Sequence, residues 1–400
     1  MNQFLKTKKT QIIGPDNKPI TLRGVNFGGW LMMEAYILYA PNNPERGFKE
    51  DFAKKLGPAA LKSFEKNFRA NFVCEDDFKN IAQLGFNCVR VPFNHRLVES
   101  TPYHYSKEGL KVLDDVLAWA KKYKVYVILD LHGAAGCQNH DWHSDSFGKA
   151  ELWTNKVYQK RTLALWKFIA DRYKNEPYLA GYDLLNESIL TDTKLLNRFY
   201  KEIIGGIRHV DKNHILFIEG NRWAQDIECL EEFDDDNYAL SIHNYEPIDF
   251  TFNFVPQLSY PLKSKQGSWD KKTTYQHLLK HKKLSDARGV PIFVGEFGIN
   301  ARNSFYGEDK WLDDTLRCYK ELGFHWTYWT YKAIKNFVFP DGVYSYLSNP
   351  PWVNRVGPKM GWDTFASHWP TRQKEMIESW QTKNFEPNTA VLKTLQKYAR

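Results

Sequence analysis

Short apolar, β-branched runs recur along the chain, each followed by residues whose apolar positions fall at i, i+3, i+4 and i+7. The runs are "TLRGVNFGGW" from 21, "FNCVRVPF" from 86, "VYVILDLHG" from 125, "LAGYDLLNES" from 179, "ILFIEG" from 215, "YALSIHNY" from 238, "PIFVGEFG" from 291 and "HWTYWTYK" from 325. Their near-continuous apolarity predicts strands covered on both faces, as in a parallel sheet. Stretches such as "SKEGLKVLDDVLAWAKKYK" and "TKLLNRFYKEIIGGIRHV" predict amphipathic helices between them. Strand and helix are expected to alternate eight times over 400 residues, which favours an α/β fold of the closed (β/α)8 barrel type over an open doubly wound sheet.

The opening "IIGPDNKPITL" reads as a hairpin plugging the barrel bottom, with Asp16-Asn17 as its turn. Two regions exceed an ideal barrel: a helical insertion over 41–74, and a long Trp- and Pro-rich loop region over 333–384 before a last helix. Both follow strand C-terminal ends, where barrel enzymes build their sites. No repeat or low-complexity linker divides the chain, so residues 1–400 are expected to form one catalytic domain.

Composition narrows the class. A content of 42% hydrophobic and 26% charged residues excludes disorder and fibres. The net charge of +8 is spread among acidic neighbours, which argues against a nucleic-acid partner. Five cysteines, an odd number without a CxxC pair, point to reduced thiols. No stretch is apolar enough for a membrane span or a secretion signal, so a cytoplasmic protein without a membrane partner is expected, acting on imported oligosaccharides or small glucosides and not on insoluble polymer. The 14 Trp, 22 Tyr and 26 Phe exceed what a core needs and suggest surfaces that stack on flat ligands. Trp30, Tyr36, Trp142, Tyr245, Trp329, Trp352 and Trp362 follow strand ends and are the candidates.

Polar residues also collect at the strand ends: Arg90, Asp130 and His132, Asn186-Glu187, His243 and Tyr245, Glu296, with Trp329 on the eighth strand. Singly, each could be a salt bridge, a cap or a core residue. Together they place two carboxylates, each preceded by an apolar run that cannot satisfy a charge, in one basin. Paired carboxylates suit glycoside hydrolysis, with retention at a separation of about 5–5.5 Å and inversion at about 6.5–9.5 Å.

In this order, "LRGVNFGGWLMMEAYI", "EDDFKNIAQLGFNCVRVPF", "VILDLHGAAGCQN", "LLNES", "HNY", "GEFG" and "YWTYK" resemble glycoside hydrolase family 5, whose members are retaining β-glycosidases on a (β/α)8 barrel. The resemblance implies Glu187 as acid/base and Glu296 as nucleophile. It implies Asn186 on the sugar 2-hydroxyl, Arg90 and Tyr245 flanking Glu296, His243 beside Glu187, His132 on a ring hydroxyl, Trp329 as the floor under the cleaved sugar, and Asn139 as a supporting residue. Within the family the closest likeness is to the exo-β-1,3-glucanase, β-glucosidase and endoglycoceramidase-like branch, which implies Glu34 at the terminal sugar and exo action. The expected substrates are β-glucan oligosaccharides or small β-glucosides, cleaved without metal or organic cofactor. The alternatives are an endo-acting β-1,4-glucanase or β-mannanase with the same mechanism, and a non-catalytic carbohydrate-binding barrel. The loop "CQNHDWHSDS" is richer in His and Asp than that branch; His132, His140, Asp141, His143 and Asp145 could suggest a metal site, but there is no HxH on the first strand and Glu187 and Glu296 would have no role, and Cys137 could suggest a thiol nucleophile, but no base and orienter follow it at recognisable positions.

Overall fold

In the computed structural model, which describes residues 3–264, 267–345 and 362–399, eight parallel strands close into a barrel in chain order. They are β1 (Arg23–Asn26), β2 (Cys88–Asn94), β3 (Tyr126–Gly133), β4 (Leu179–Asp183), β5 (Ile215–Glu219), β6 (Tyr238–His243), β7 (Ile292–Glu296) and β8 (His325–Tyr328). β8 returns to β1, with Trp326 opposite Arg23 and Tyr328 opposite Val25. The strands from β4 to β8 are buried along their whole length, which is why their sequences show no alternation.

The N-terminal hairpin does close the barrel bottom. Its strands Gln11–Ile13 and Pro19–Ile20 are joined by a turn with Asn17 at φ +60°, and Leu5, Ile12 and Leu22 pack beneath Cys88, Ile128, Phe217 and Phe293. Helix starts follow local capping chemistry: Ser106 Oγ accepts from Gly109 N, Asp192 Oδ1 from Lys194 N, and Asp270 Oδ1 from Thr273 N.

The expected eightfold alternation fails once. After β5 only Asn221–Ala224 is assigned as helix, and Arg222, Trp223 and Ala224 there have φ of 53°, 55° and 59°. Asn221 and Asp226 exchange backbone hydrogen bonds of 2.9 and 3.0 Å, closing a tight turn before a helix can propagate. Ile227, Leu230 and Phe233 then anchor an irregular link to β6.

Residues 45–72 form two helices, Glu45–Leu56 and Pro58–Phe72. The region expected as a loop is in part helical, since Trp362–Ser379 is a helix with Pro370 inside it, distorted at Arg372. These three helices share an aromatic layer: Phe48 stacks on Trp362 at 4.8 Å, Phe64 meets Trp369 at 5.3 Å, and Phe68 meets Trp380 at 5.1 Å. Much of the aromatic surplus is therefore spent on this packing. Trp362 belongs to it, and Trp30, 1% exposed with its Nε1 donating to Arg69 O, is likewise core, so neither is free to stack on a ligand. Trp352 lies outside the described residues.

Candidate active site

Arg90 organises the C-terminal end of the barrel. It sits inside β2, not at its end, and its guanidinium has no solvent exposure. Its Nε donates to Asp183 Oδ2 at 2.8 Å, Nη1 to Asn26 Oδ1 at 3.2 Å and to Glu296 Oε1 at 2.8 Å, and Nη2 to Asn186 Oδ1 at 2.9 Å and Glu219 Oε1 at 3.0 Å. Nη2 also lies 3.1 Å from Asp130 Oδ2. A planar five-donor fork can serve such a set where a lysine could not. Asp130, Asp183 and Glu219 offer oxygens close enough together to hold a cation, and the arginine fills that position. Burial, with the Glu219 charge, still pushes Asp183 up to about 7.

Above this cage Glu296, at the end of β7, and Glu187, four residues past β4, approach from opposite sides. One carboxylate oxygen of each lies within 4.8 Å of the other and of a His243 ring nitrogen. Tyr245 Oη donates to Glu296 Oε2 at 2.8 Å. His243 Nδ1 is 2.6 Å from Glu187 Oε1 and 3.6 Å from Glu296 Oε2, while its Nε2 is 3.1 Å from Glu219 Oε1. Burial opposes the charge on His243, but Glu219 and Glu296 raise it well above the ordinary histidine value. Burial would also raise Glu187, yet its bond to His243 and the charges of His243, His143 and His132 hold it at about 2. The backbone of Glu187 is in the left-handed region, φ +49°, fixed by its N–H on Glu219 Oε2 at 2.6 Å and by Asn139 Nδ2 on its carbonyl at 2.9 Å. Strain of this kind in a non-glycine residue persists only where its surroundings over-determine it.

The two carboxylates open into a cavity of about 480 Å³, also lined by Glu34, Tyr36, His132, Asp141, Trp142, His143, Trp223, Tyr245, Phe252, Phe254, Trp329 and Phe339. His132 stacks on Trp329 at 5.5 Å with rings 5° from parallel, and its Nε2 is 3.3 Å from Glu34 Oε1. Burial works against its charge, but Asp130 and Glu34 lift its pKa to about 10. Trp329 Nε1 donates to Tyr36 Oη, holding the indole in place. Asn186 and Asn139 are fully buried behind the wall, and Asn186 Nδ2 is left without a protein partner.

All ten sequence candidates therefore converge, eight on the cavity or on Glu296 and two just behind them. Missed were Asp183 and Glu219, although "GYDLL" and "FIEG" carry the same signal of a carboxylate ending an apolar run. Phe252, Phe254, Phe339 and Trp223 were missed because they reach the cavity on irregular loops. The five residues of the metal reading do not gather into one site: Asp145 pairs with Arg96 Nε at 3.2 Å, and His140, half exposed, and His143 approach opposite oxygens of Asp141 at 3.8 and 3.6 Å. Cys137 lines a different cavity with Arg46 and Asp145, and burial pushes its thiol up to about 11. Among the described residues, no helix is long and apolar enough to cross a membrane.

The model of the cellulase family, glycosyl hydrolase family 5, matches residues 53–334. A β-xylosidase of Phanerodontia chrysosporium is 32% identical over 83% of this chain and 71% of its own length. Endoglucanase C of Acetivibrio thermocellus is 28% identical over 68% of this chain and 87% of its own. Thermotoga maritima Cel5A, solved with mannotriose, matches with a TM-score of 0.63 at 21% identity, over 94% of this chain and 97% of that one, a likeness of fold. With a family model spanning most of the barrel and a relative matching most of the chain, the protein belongs to glycosyl hydrolase family 5, the cellulase family.

Proposed function

We propose that the protein is a retaining β-glycosidase that removes glucose from the non-reducing end of β-gluco-oligosaccharides or small β-glucosides. The observation that carries this reading is the approach of Glu187 and Glu296, with an oxygen of each within 4.8 Å of the other, which fits the short spacing of a nucleophile and its acid better than the wider spacing of an inverting pair. Glu296, aligned by Arg90 and Tyr245, attacks the anomeric carbon while Glu187 protonates the departing oxygen. Glu187 then takes a proton from water as that water cleaves the glycosyl-enzyme.

Asn186 Nδ2, buried and unpartnered, is available to a 2-hydroxyl whose hydrogen bond strengthens as charge develops on the ring. Trp329 offers a π face to the same sugar. Glu34 and His132, 3.3 Å apart on the cavity wall, would bind hydroxyls of a terminal residue. Replacing Glu296 by Gly tests the chemistry: turnover of an aryl β-glucoside should cease, and azide should restore aglycone release with an α-glycosyl azide as product. A β-azide would reject Glu296 as nucleophile.

A further inference from the structure

The loop 137–146 stood apart in the sequence, and its histidine nearest the cavity has so far been given no part in the reaction. His143 lies between two carboxylates: its Nδ1 is 3.6 Å from Glu187 Oε2, and its Nε2 is 3.6 Å from Asp141 Oδ2. Asp141 is held in turn by Trp223 Nε1 at 2.8 Å, from the left-handed turn after β5. Three successive left-handed non-glycine residues are costly. Their consequence is to bring an indole N–H from another loop onto Asp141. The loop itself is clamped to the same center, since Asn139 binds the Glu187 carbonyl and the Asp141 N–H, and Ser144 Oγ donates to Asn139 O.

Both oxygens of Glu187 thus face a histidine, but the two histidines differ. His243 is 1% exposed and wedged against Glu219 and Glu296, so its charge is pinned. The His143 side chain is 15% exposed and reaches water. Groups facing it are Asp141 on its own loop, Glu187 after β4, Glu34 after β1 and His132 on β3, whose ring is 6.3 Å away; His140 stands 3.8 Å from Asp141's other oxygen. Burial resists protonation of His143, while Asp141, Glu187 and Glu34 favour it and raise its pKa. A leaving-group acid held at about 2 has no proton of its own to give near neutral pH.

We propose that His143, held by Asp141 and Trp223, is the positioning residue that loads Glu187 with its proton. In the open site the pair is an imidazolium and a carboxylate. When substrate expels water, the two groups close from 3.6 Å to hydrogen-bond distance, the ion pair loses solvation and the neutral pair is favoured: the His143 Nδ1–H bond breaks and a Glu187 Oε2–H bond forms. That proton passes to the glycosidic oxygen as the bond to the sugar breaks. In the second half-reaction Glu187 takes a proton from the attacking water, and returns it to His143 when product leaves. The proton count closes over the cycle, with one water consumed.

This inference rests on Glu187 being the acid/base, and the experiment separates the two. kcat/KM is measured against pH for His143→Asn, Asp141→Asn and Glu187→Gln, with an alkyl β-glucoside that needs protonation and a dinitrophenyl β-glucoside that does not. For His143→Asn the basic limb on the alkyl glucoside should move down by at least one pH unit, and the loss at neutral pH should exceed that on the dinitrophenyl glucoside at least tenfold. Asp141→Asn should move the limb in the same direction by less. If Glu187→Gln discriminates between the substrates but the limb of His143→Asn stays in place, the proton-loading role is overturned while the acid/base reading stands. If Glu187→Gln affects both substrates alike, the acid/base reading itself falls.

Discussion

The guanidinium of Arg90 reaches Glu296 Oε1 at 2.8 Å with the same nitrogen that binds Asn26, while its other nitrogens hold three further carboxylates and Asn186. One side chain from β2 thereby fixes groups on β1, β3, β4, β5 and β7. Arg90→Lys keeps a charge but loses the fork. We expect kcat/KM to fall at least about 100-fold, or roughly 2.7 kcal/mol, together with a lower Tm. Steady-state kinetics and thermal unfolding check both; unchanged kinetics would remove Arg90 from the alignment of Glu296.

Glu187→Gln should lose about 10²–10⁴-fold in turnover of alkyl glucosides, the usual contribution of a general acid. Formation of the glycosyl-enzyme from an activated aryl glucoside should survive, seen as a burst in stopped-flow kinetics.

Glu34→Gln tests end recognition. Hydrogen bonds from a charged group contribute about 1.5–3 kcal/mol, so kcat/KM on a β-gluco-oligosaccharide should drop roughly 10- to 150-fold. Wild type should release glucose stepwise; chromatographic detection of internal cleavage products would reject the exo reading.

Lys332 is 1% exposed, with its ammonium on the carbonyls of Phe72 and Trp380, and burial lowers its pKa to about 8. The unfolded chain holds this proton more tightly than the native one, so stability should rise as pH increases from about 8 toward the unfolded value near 10.4. Relative to Lys332→Met, the wild type should gain roughly 2 kcal/mol between pH 7 and 9.5 in denaturant unfolding. A difference that is flat with pH would refute the assignment.

Gly24 on β1 faces β2 so closely that a Cβ there would lie 1.7 Å from Cys88 O. Gly24→Ala should leave little soluble protein, because the clash is with backbone and cannot relax without opening the barrel.

The strands and the site were readable because both rest on local signals: a parallel strand buried on two faces is apolar throughout, and a charged residue ending it stands out. That is how Glu187 and Glu296 emerged, while Arg90 stood out as a charge inside an apolar run. The β5–β6 link was misjudged because the bonds between Asn221 and Asp226 that stop a helix depend on backbone geometry, which periodicity does not record. Trp30 and Trp362 were misplaced for a related reason: position after a strand end says where a residue lies along the chain, not which neighbour claims its face. His143 needed the structure, since Asp141 and Trp223, which frame it, come from different loops.

The aromatic layer joining Phe48, Phe64 and Phe68 to Trp362, Trp369 and Trp380 makes two segments far apart in the chain into a single unit of exchange. Lys332 reinforces it by gripping the end of one segment and the carbonyl just beyond the other. A chimera that grafts either segment alone onto another barrel would carry a bare face of indole and phenyl rings into water. Recombination of this protein with its relatives should therefore succeed only at crossover points that transfer both.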